Sequence, residues 1–174
     1  MSTVYSDAVK RAEKVLDEFW KKNGIVTVPV DVIGIARSYN INVYAATFNS
    51  KYSDTLYGMI RGKDGKFDIF VNAKNSLQRQ RFSIAHELGH FFLHHDSDKA
   101  SELEFVDLRS DLSSPKEVEA NKFATALLMP ECEIRKQHGK LLFPTADELA
   151  KTFNVSKPAM QIRLRELNLD ALDA

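Results

Sequence analysis

The sequence predicts an α+β domain in which a small, mostly antiparallel sheet packs on one long helix and is followed by a helical C-terminal part. Strand-like segments cluster between positions 41 and 72, a proline-free helical run follows over about 77–95, and two more helical patterns follow position 145. A length of 174 residues suits one domain, 1–174. We divide it into an N-terminal helix (1–24), a core (25–130) and C-terminal helices (131–174).

The first elements follow from apolar spacing. Asp7 to Lys22 carries apolar residues at helical intervals, and Gly24 stops that helix. A second helix is expected to begin at Val28-Pro29-Val30-Asp31 and to run through about Tyr39. Alternation over Ile41 to Phe48 then predicts a strand.

A hairpin is expected next, because strand-like segments 56–61 and 67–72 flank the turn sequence GKDG. After the long helix, the polar and acidic segment 99–113 is interpreted as a connection that forms part of a cleft wall. The C-terminal pattern predicts a helix over 146–153, a break at Asn154-Val155, and a second helix over 156–167. This arrangement resembles a helix-turn-helix.

The long helix contains Ala85-His86-Glu87-Leu88-Gly89-His90, which reads H-E-x-x-H. His86 and His90 lie one turn apart on one helix face, where neutral imidazoles can hold a single zinc ion. Glu87 has the chemistry of a general base that takes a proton from an attacking water. This zincin signature predicts metal-assisted hydrolysis; the competing interpretation is two core or surface histidines. Gly89 removes a side chain where another backbone can approach closely.

A catalytic zinc site needs a third protein ligand. His94 is excluded as a co-ligand because it lies about 12 Å along the helix axis from His86, and it remains a candidate for stabilising charge at the edge of the site, as does His138. Asp96 has the spacing of a metzincin ligand, but Leu93 stands where that class needs a helix-breaking glycine.

The next helix offers two carboxylates. Ser114 as N-cap and Pro115 at the first helical position start it, and it ends near Met129. Glu117 falls within its apolar stripe, where a carboxylate is costly unless it is paired or bound to a metal. Glu117 is therefore the expected third ligand, with a Ser114-x-x-Glu117 capping box as the alternative. Glu119, at the margin of the stripe, is the reserve ligand.

Two blocks, RFSIAHELGHFFLH over 81–94 and EVEANKFATALLMP over 117–130, together resemble the ImmA/IrrE family of metallo-endopeptidases. The resemblance implies a zinc-dependent peptidase with Glu117 as the metal-binding glutamate. It also implies that Asn121 orients a histidine ligand. Some relatives cleave a helix-turn-helix repressor and thereby switch on a mobile element or a stress response.

Composition sets the remaining limits. Lysine plus arginine equals aspartate plus glutamate at 24 each, so no global charge indicates nucleic acid or membrane as a partner. The sequence shows no signal peptide or membrane span, and the single cysteine, Cys132, suits a reducing cytoplasm. Acidic residues offset the basic side chains of the C-terminal helices, which argues against direct DNA binding. The side chains considered for DNA contact are Lys151, Lys157, Gln161, Arg163 and Arg165.

The sequence therefore predicts a cytoplasmic, gluzincin-like zinc endopeptidase that cleaves a specific partner protein. The expected partner is a helix-turn-helix repressor of a mobile element, a toxin-antitoxin-like system or a stress response. The alternative is a non-proteolytic regulator that binds DNA or a repressor and has a structural or vestigial metal site.

Overall fold

A computed structural model describes residues 6–48, 56–63, 65–94, 102–108 and 114–172. The described elements follow one another along the chain in this order: α1 (Asp7–Asn23), α2 (Val32–Ser38), β1 (Ile41–Ala46), β2 (Leu56–Lys63), β3 (Lys66–Asn72), α3 (Leu77–His94), β4 (Glu102–Leu108), α4 (Pro115–Leu128), α5 (Glu131–His138), α6 (Ala146–Phe153) and α7 (Lys157–Glu166).

The four strands form one sheet in the order β1–β3–β2–β4. β2 pairs antiparallel with both β3 and β4, whereas β1 runs parallel to β3. The predicted α+β class with a mostly antiparallel sheet is therefore confirmed. The two edges of the sheet are β1 and β4, which the sequence alone did not reveal.

The long helix α3 follows β3 and packs against β2, β3 and α4. Alternate residues of the inner strands, such as Ile60 and Ile69, are fully buried beneath the helices. Leu88 of α3, Phe123 of α4 and Leu164 of α7 join them in one apolar core. The N-terminal and C-terminal helices thus share a core with the sheet; the division into 1–24, 25–130 and 131–174 stays a prediction.

Two elements were missed in the sequence. The segment interpreted as a connection contains β4, whose acidic residues are poor strand formers and which is held by pairing with the distant β2. The short α5 has one fully buried apolar residue, Ile134, too few for a helical period to be visible. In addition, β1 ends at Ala46 rather than at Phe48.

The C-terminal helices form where the sequence predicted them. Thr145 and Ser156 cap α6 and α7 by accepting hydrogen bonds from backbone N–H groups of Glu148 and Ala159. Asn154 ends α6 in the left-handed conformation with φ 51°. Among all helices of the described residues, none is both long and apolar enough to cross a bilayer.

Candidate metal centre

His86 and His90 are brought together by the helical repeat of α3. Both are 1% exposed, and their rings lie edge to face with centroids 4.7 Å apart. The Nε2 atoms of the two rings are 3.0 Å apart. The i, i+4 spacing therefore places two imidazole nitrogens at one buried point.

Glu117 reaches the same point from the first turn of α4. Its backbone N–H donates to Ser114 Oγ, so the predicted N-cap is present. Its carboxylate, however, lies 3.0 Å from Nε2 of His86 and 3.1 Å from Nε2 of His90. Of the two roles that the sequence left open for this side chain, the geometry favours contact with the histidines over a reciprocal bond to the cap.

These three donors fit a zinc ion. Their ligand atoms all lie within 4.8 Å of one another, and the three closest separations are 3.0, 3.0 and 3.1 Å. Two ligand atoms that each lie about 2 Å from one tetrahedral ion are about 3.3 Å apart from each other. The three observed separations are close to this value, so the donor atoms could hold one zinc ion. Imidazole nitrogen and carboxylate oxygen are also donors that zinc prefers.

The surroundings keep His90 and Glu117 in the protonation states that a metal needs. Burial, and after it the neighbouring His86, lower the pKa of His90 to about 4, so the ring is neutral at neutral pH. Burial raises the pKa of Glu117, but the hydrogen bond and charges of the histidines outweigh it and leave the pKa below its ordinary value. His90 is therefore neutral and Glu117 ionised at neutral pH, which are the states in which these two groups bind a metal.

Asn121 lies one turn beyond Glu117 on α4 and fixes the orientation of His86. Its Oδ1 is 3.0 Å from Nδ1 of His86. Because an amide oxygen can only accept, Nδ1 carries the proton, and the lone pair of Nε2 is left to face the cluster. This is the geometry expected of a residue that orients a metal-binding histidine.

Glu87 is fully buried and lies against β2. A Cβ added at Gly58 of β2 would be 2.9 Å from Glu87 Oε1 and 3.4 Å from its Cγ. The glycine thus leaves the space that the carboxylate occupies. Sequence reasoning did not single out Gly58; a glycine inside a predicted strand was the signal that marks such a close approach.

Gly89 allows α3 and α4 to approach closely. A Cβ at this position would lie 3.0 Å from the Cα and 3.1 Å from the carbonyl oxygen of Ala120. Ala120 lies between Glu117 and Asn121 along α4, so this contact sets the distance between the two helices at the histidine cluster. The expectation that another backbone approaches Gly89 agrees with this packing.

Gly89→Ala should therefore weaken metal binding without unfolding the protein. The added methyl group pushes α4 away by a few tenths of an ångström and misplaces Glu117, so we expect zinc affinity to fall by roughly 10-fold. Chelator competition measures this change. The matched control is Gly139→Ala at the exposed end of α5, where the φ is −68° and the Cβ would make a similarly close contact, 3.3 Å from the Arg135 carbonyl oxygen, without touching α3 or α4. Equal affinities in the two variants would contradict the packing argument.

The other candidate residues lie outside the cluster. His94 donates to the Lys116 carbonyl at 3.3 Å and pairs with Glu119 at 3.7 Å, so the reserve ligand Glu119 is engaged elsewhere. His138 donates to the Asp170 carbonyl at 2.6 Å, on the C-terminal segment. Asp96 lies outside the described residues.

The C-terminal helices present fewer basic side chains than their sequence suggested. Arg163 is 7% exposed, and its guanidinium donates to the Met129 carbonyl at 3.1 Å and pairs with Glu166 at 3.2 Å. Lys151 pairs with Asp147 one turn earlier. Arg163, one of the side chains considered for DNA contact, is therefore used to join α7 to the end of α4.

The fold and the site together define a class: an α+β domain whose buried His-His-Glu cluster has the donor set of a single-metal centre. Residues 36–165 match the family model Peptidase_M78, described as the IrrE N-terminal-like domain. The chain therefore belongs to this peptidase family, and the resemblance to ImmA/IrrE proteins is confirmed.

Two curated relatives and one solved structure illustrate the similarity. The chain is 35% identical over 112 residues to the radiation response metalloprotease IrrE of Deinococcus radiodurans, which covers 60% of this chain and 34% of that protein. It is 24% identical over 110 residues to metallopeptidase ImmA of Bacillus subtilis, covering 63% of each. The chain thus spans less than two thirds of either relative.

A Mycobacterium tuberculosis transcriptional regulator shares the fold, with a TM-score of 0.56 at 20% identity over 92% of this chain and 47% of that one.

Proposed function

We propose that this chain is a zincin-like zinc endopeptidase of the gluzincin type, in which His86, His90 and Glu117 bind the metal. The observation that carries the proposal is the convergence of these three donors within 4.8 Å, next to a fully buried Glu87. Two histidines and a glutamate form the ligand set of the thermolysin-like zinc enzymes. Three protein ligands leave one coordination position for reacting groups.

The chemistry divides between the ion and the chain. When bound, zinc lowers the pKa of water toward about 7 and polarises the scissile carbonyl. Glu87 follows His86 on the same helix turn and accepts the proton of the attacking water, then delivers it to the leaving amine. Asn121 holds His86 in the required tautomer, and Gly58 leaves room for the Glu87 carboxylate. Burial of His86, His90 and Glu87 limits their contact with bulk water and strengthens their interactions.

We further propose that the substrate is one specific cytoplasmic partner protein, a helix-turn-helix repressor. The support is membership of a family whose curated relatives include a radiation response metalloprotease. Selectivity would come from docking one partner and drawing a local segment of it into the cleft. Direct DNA binding remains disfavoured, since Arg163 is buried and bonded within the protein and Asp147 offsets the charge of the exposed Lys151.

The partner proposal predicts selective cleavage. The chain should cut the helix-turn-helix regulator encoded beside it at one or a few sites and leave an unfolded casein substrate essentially intact. Digestions of both proteins, followed by mass spectrometry and run beside a Glu87→Gln control, measure this. Rapid, Glu87-dependent degradation of casein would defeat the claim of selectivity. Tight, salt-sensitive binding to operator DNA with no cleavage would instead favour a non-proteolytic regulator.

A further inference from the structure

The sheet edge beside Glu87 is filled by the chain itself. The contact between Gly58 and Glu87 shows which part of the sheet adjoins the catalytic carboxylate. On one side Gly58 pairs with Val71 of β3, and on the other it pairs with Asp107 of β4. The other edge strand, β1, is separated from β2 by β3. β4 therefore holds the strand position next to the candidate active centre.

An extended substrate segment bound by main-chain hydrogen bonds would need that same position. Neighbouring strands lie about 4.8 Å apart, so a segment added outside β4 would run about 10 Å from β2, whereas one in the place of β4 would run beside it. A reacting carbonyl must come within about 3–3.5 Å of the group that attacks it. Only a segment in the position of β4 lies next to Glu87.

β4 is an edge strand of the sheet, and among the described strands its hydrogen-bonded partner is β2. It packs chiefly on β2, whereas β1 packs on both β3 and α2. The pairing of β4 with β2 is irregular near the candidate site, where the register shifts between Leu56 and Gly58. An edge strand is hydrogen-bonded to the sheet along one side only, so its local opening breaks fewer bonds than the opening of an inner strand.

We propose that β4 is a built-in occupant of the substrate-binding edge of β2, and that an extended segment of the partner protein displaces it. The chain is then self-covered at rest, and only a partner that competes with β4 gains access to Glu87. This inference rests on the proposed peptidase function, and it adds to that function the place where the substrate binds and the contact that restrains the enzyme.

A reversible disulfide between β2 and β4 tests the proposal. Met59 pairs directly with Val106 of β4 and with Phe70 of β3. Met59 alternates with the buried Gly58 and Ile60, so it lies on the sheet face opposite Glu87.

In a Cys132→Ser background, the variant Met59→Cys/Val106→Cys links β4 to β2 when it is oxidised. The matched control, Met59→Cys/Phe70→Cys, links β2 to β3 and leaves β4 free to open. The oxidised β4 lock should cut the neighbouring regulator at least about 10-fold more slowly than its reduced form, because the edge cannot open. The control variant should cut the regulator at the same rate in its oxidised and reduced forms.

Amide hydrogen exchange of the unlocked protein gives a second readout that needs no substrate. After correction for intrinsic rates, β4 amides should open at least about 10-fold more often than those of β1. Exchange of β4 only through global unfolding would overturn the proposal, as would equal cleavage by the oxidised and reduced β4 lock. If the wild-type chain cuts no regulator, the proposed function fails, whereas the exchange experiment still decides whether β4 opens separately.

Discussion

Glu117→Gln should empty the metal site. The change keeps the shape of the side chain but removes the charge that lies 3.0 and 3.1 Å from the two imidazoles. Groups that only orient a ligand contribute about 10- to 100-fold to metal affinity, so loss of a ligand should weaken zinc binding by more than about 100-fold. Elemental analysis after gel filtration should find about one zinc per chain in the wild type and almost none in this variant.

Glu119→Gln is the matched control for that experiment. Glu119 lies two positions further along α4 and pairs with His94 outside the cluster. Its variant should keep full zinc occupancy. Full occupancy in Glu117→Gln together with loss in Glu119→Gln would reverse the ligand assignment.

Glu87→Gln should abolish peptide cleavage and leave the metal in place. Glutamine fills the same buried space beside Gly58 but cannot accept a proton from water. General acid–base catalysis contributes about 100- to 10,000-fold, and we expect the rate of regulator cleavage to fall by that factor. The zinc content and the melting temperature should change little.

The pair of variants separates chemistry from metal binding. Glu87→Gln should lose activity at full zinc content, whereas Glu117→Gln should lose both. Wild-type cleavage by Glu87→Gln would show that another group accepts the proton or that a contaminant produces the activity.

Local signals in the sequence were sufficient for the parts of the site that lie on one helix or at a helix start. The i, i+4 histidines share a face because of the helical repeat, and Ser114-Pro115 marks the start of α4 by capping chemistry. The register of α4 against α3 depends on Gly89 meeting Ala120, a contact between residues distant in sequence. The spacing of apolar residues predicted which face of each helix is buried, but it did not predict the distance between the two helices.

The strands show which part of a sheet local sequence patterns can predict and which part they cannot. The β2–β3 hairpin could be predicted because its turn sequence is local and contains glycine. Gly65 adopts a φ of 73°, a conformation that glycine takes readily. β4 was missed because its pairing with β2 is long-range and its composition is acidic. The strand that we propose as the cover of the substrate edge is thus one of the two elements that local sequence patterns did not reveal.

The position of the metal donors on two helices also gives the ion a mechanical role. His90 lies near the end of α3, Glu117 lies in the first turn of α4, and the chain between them contains β4. An ion held by both would act as a cross-link around a loop of roughly 30 residues, which the chain-entropy model values at about 3–4 kcal/mol. The same ion would then anchor both ends of the segment that carries β4, and the availability of zinc would raise the free energy of unfolding as well as supply the chemistry.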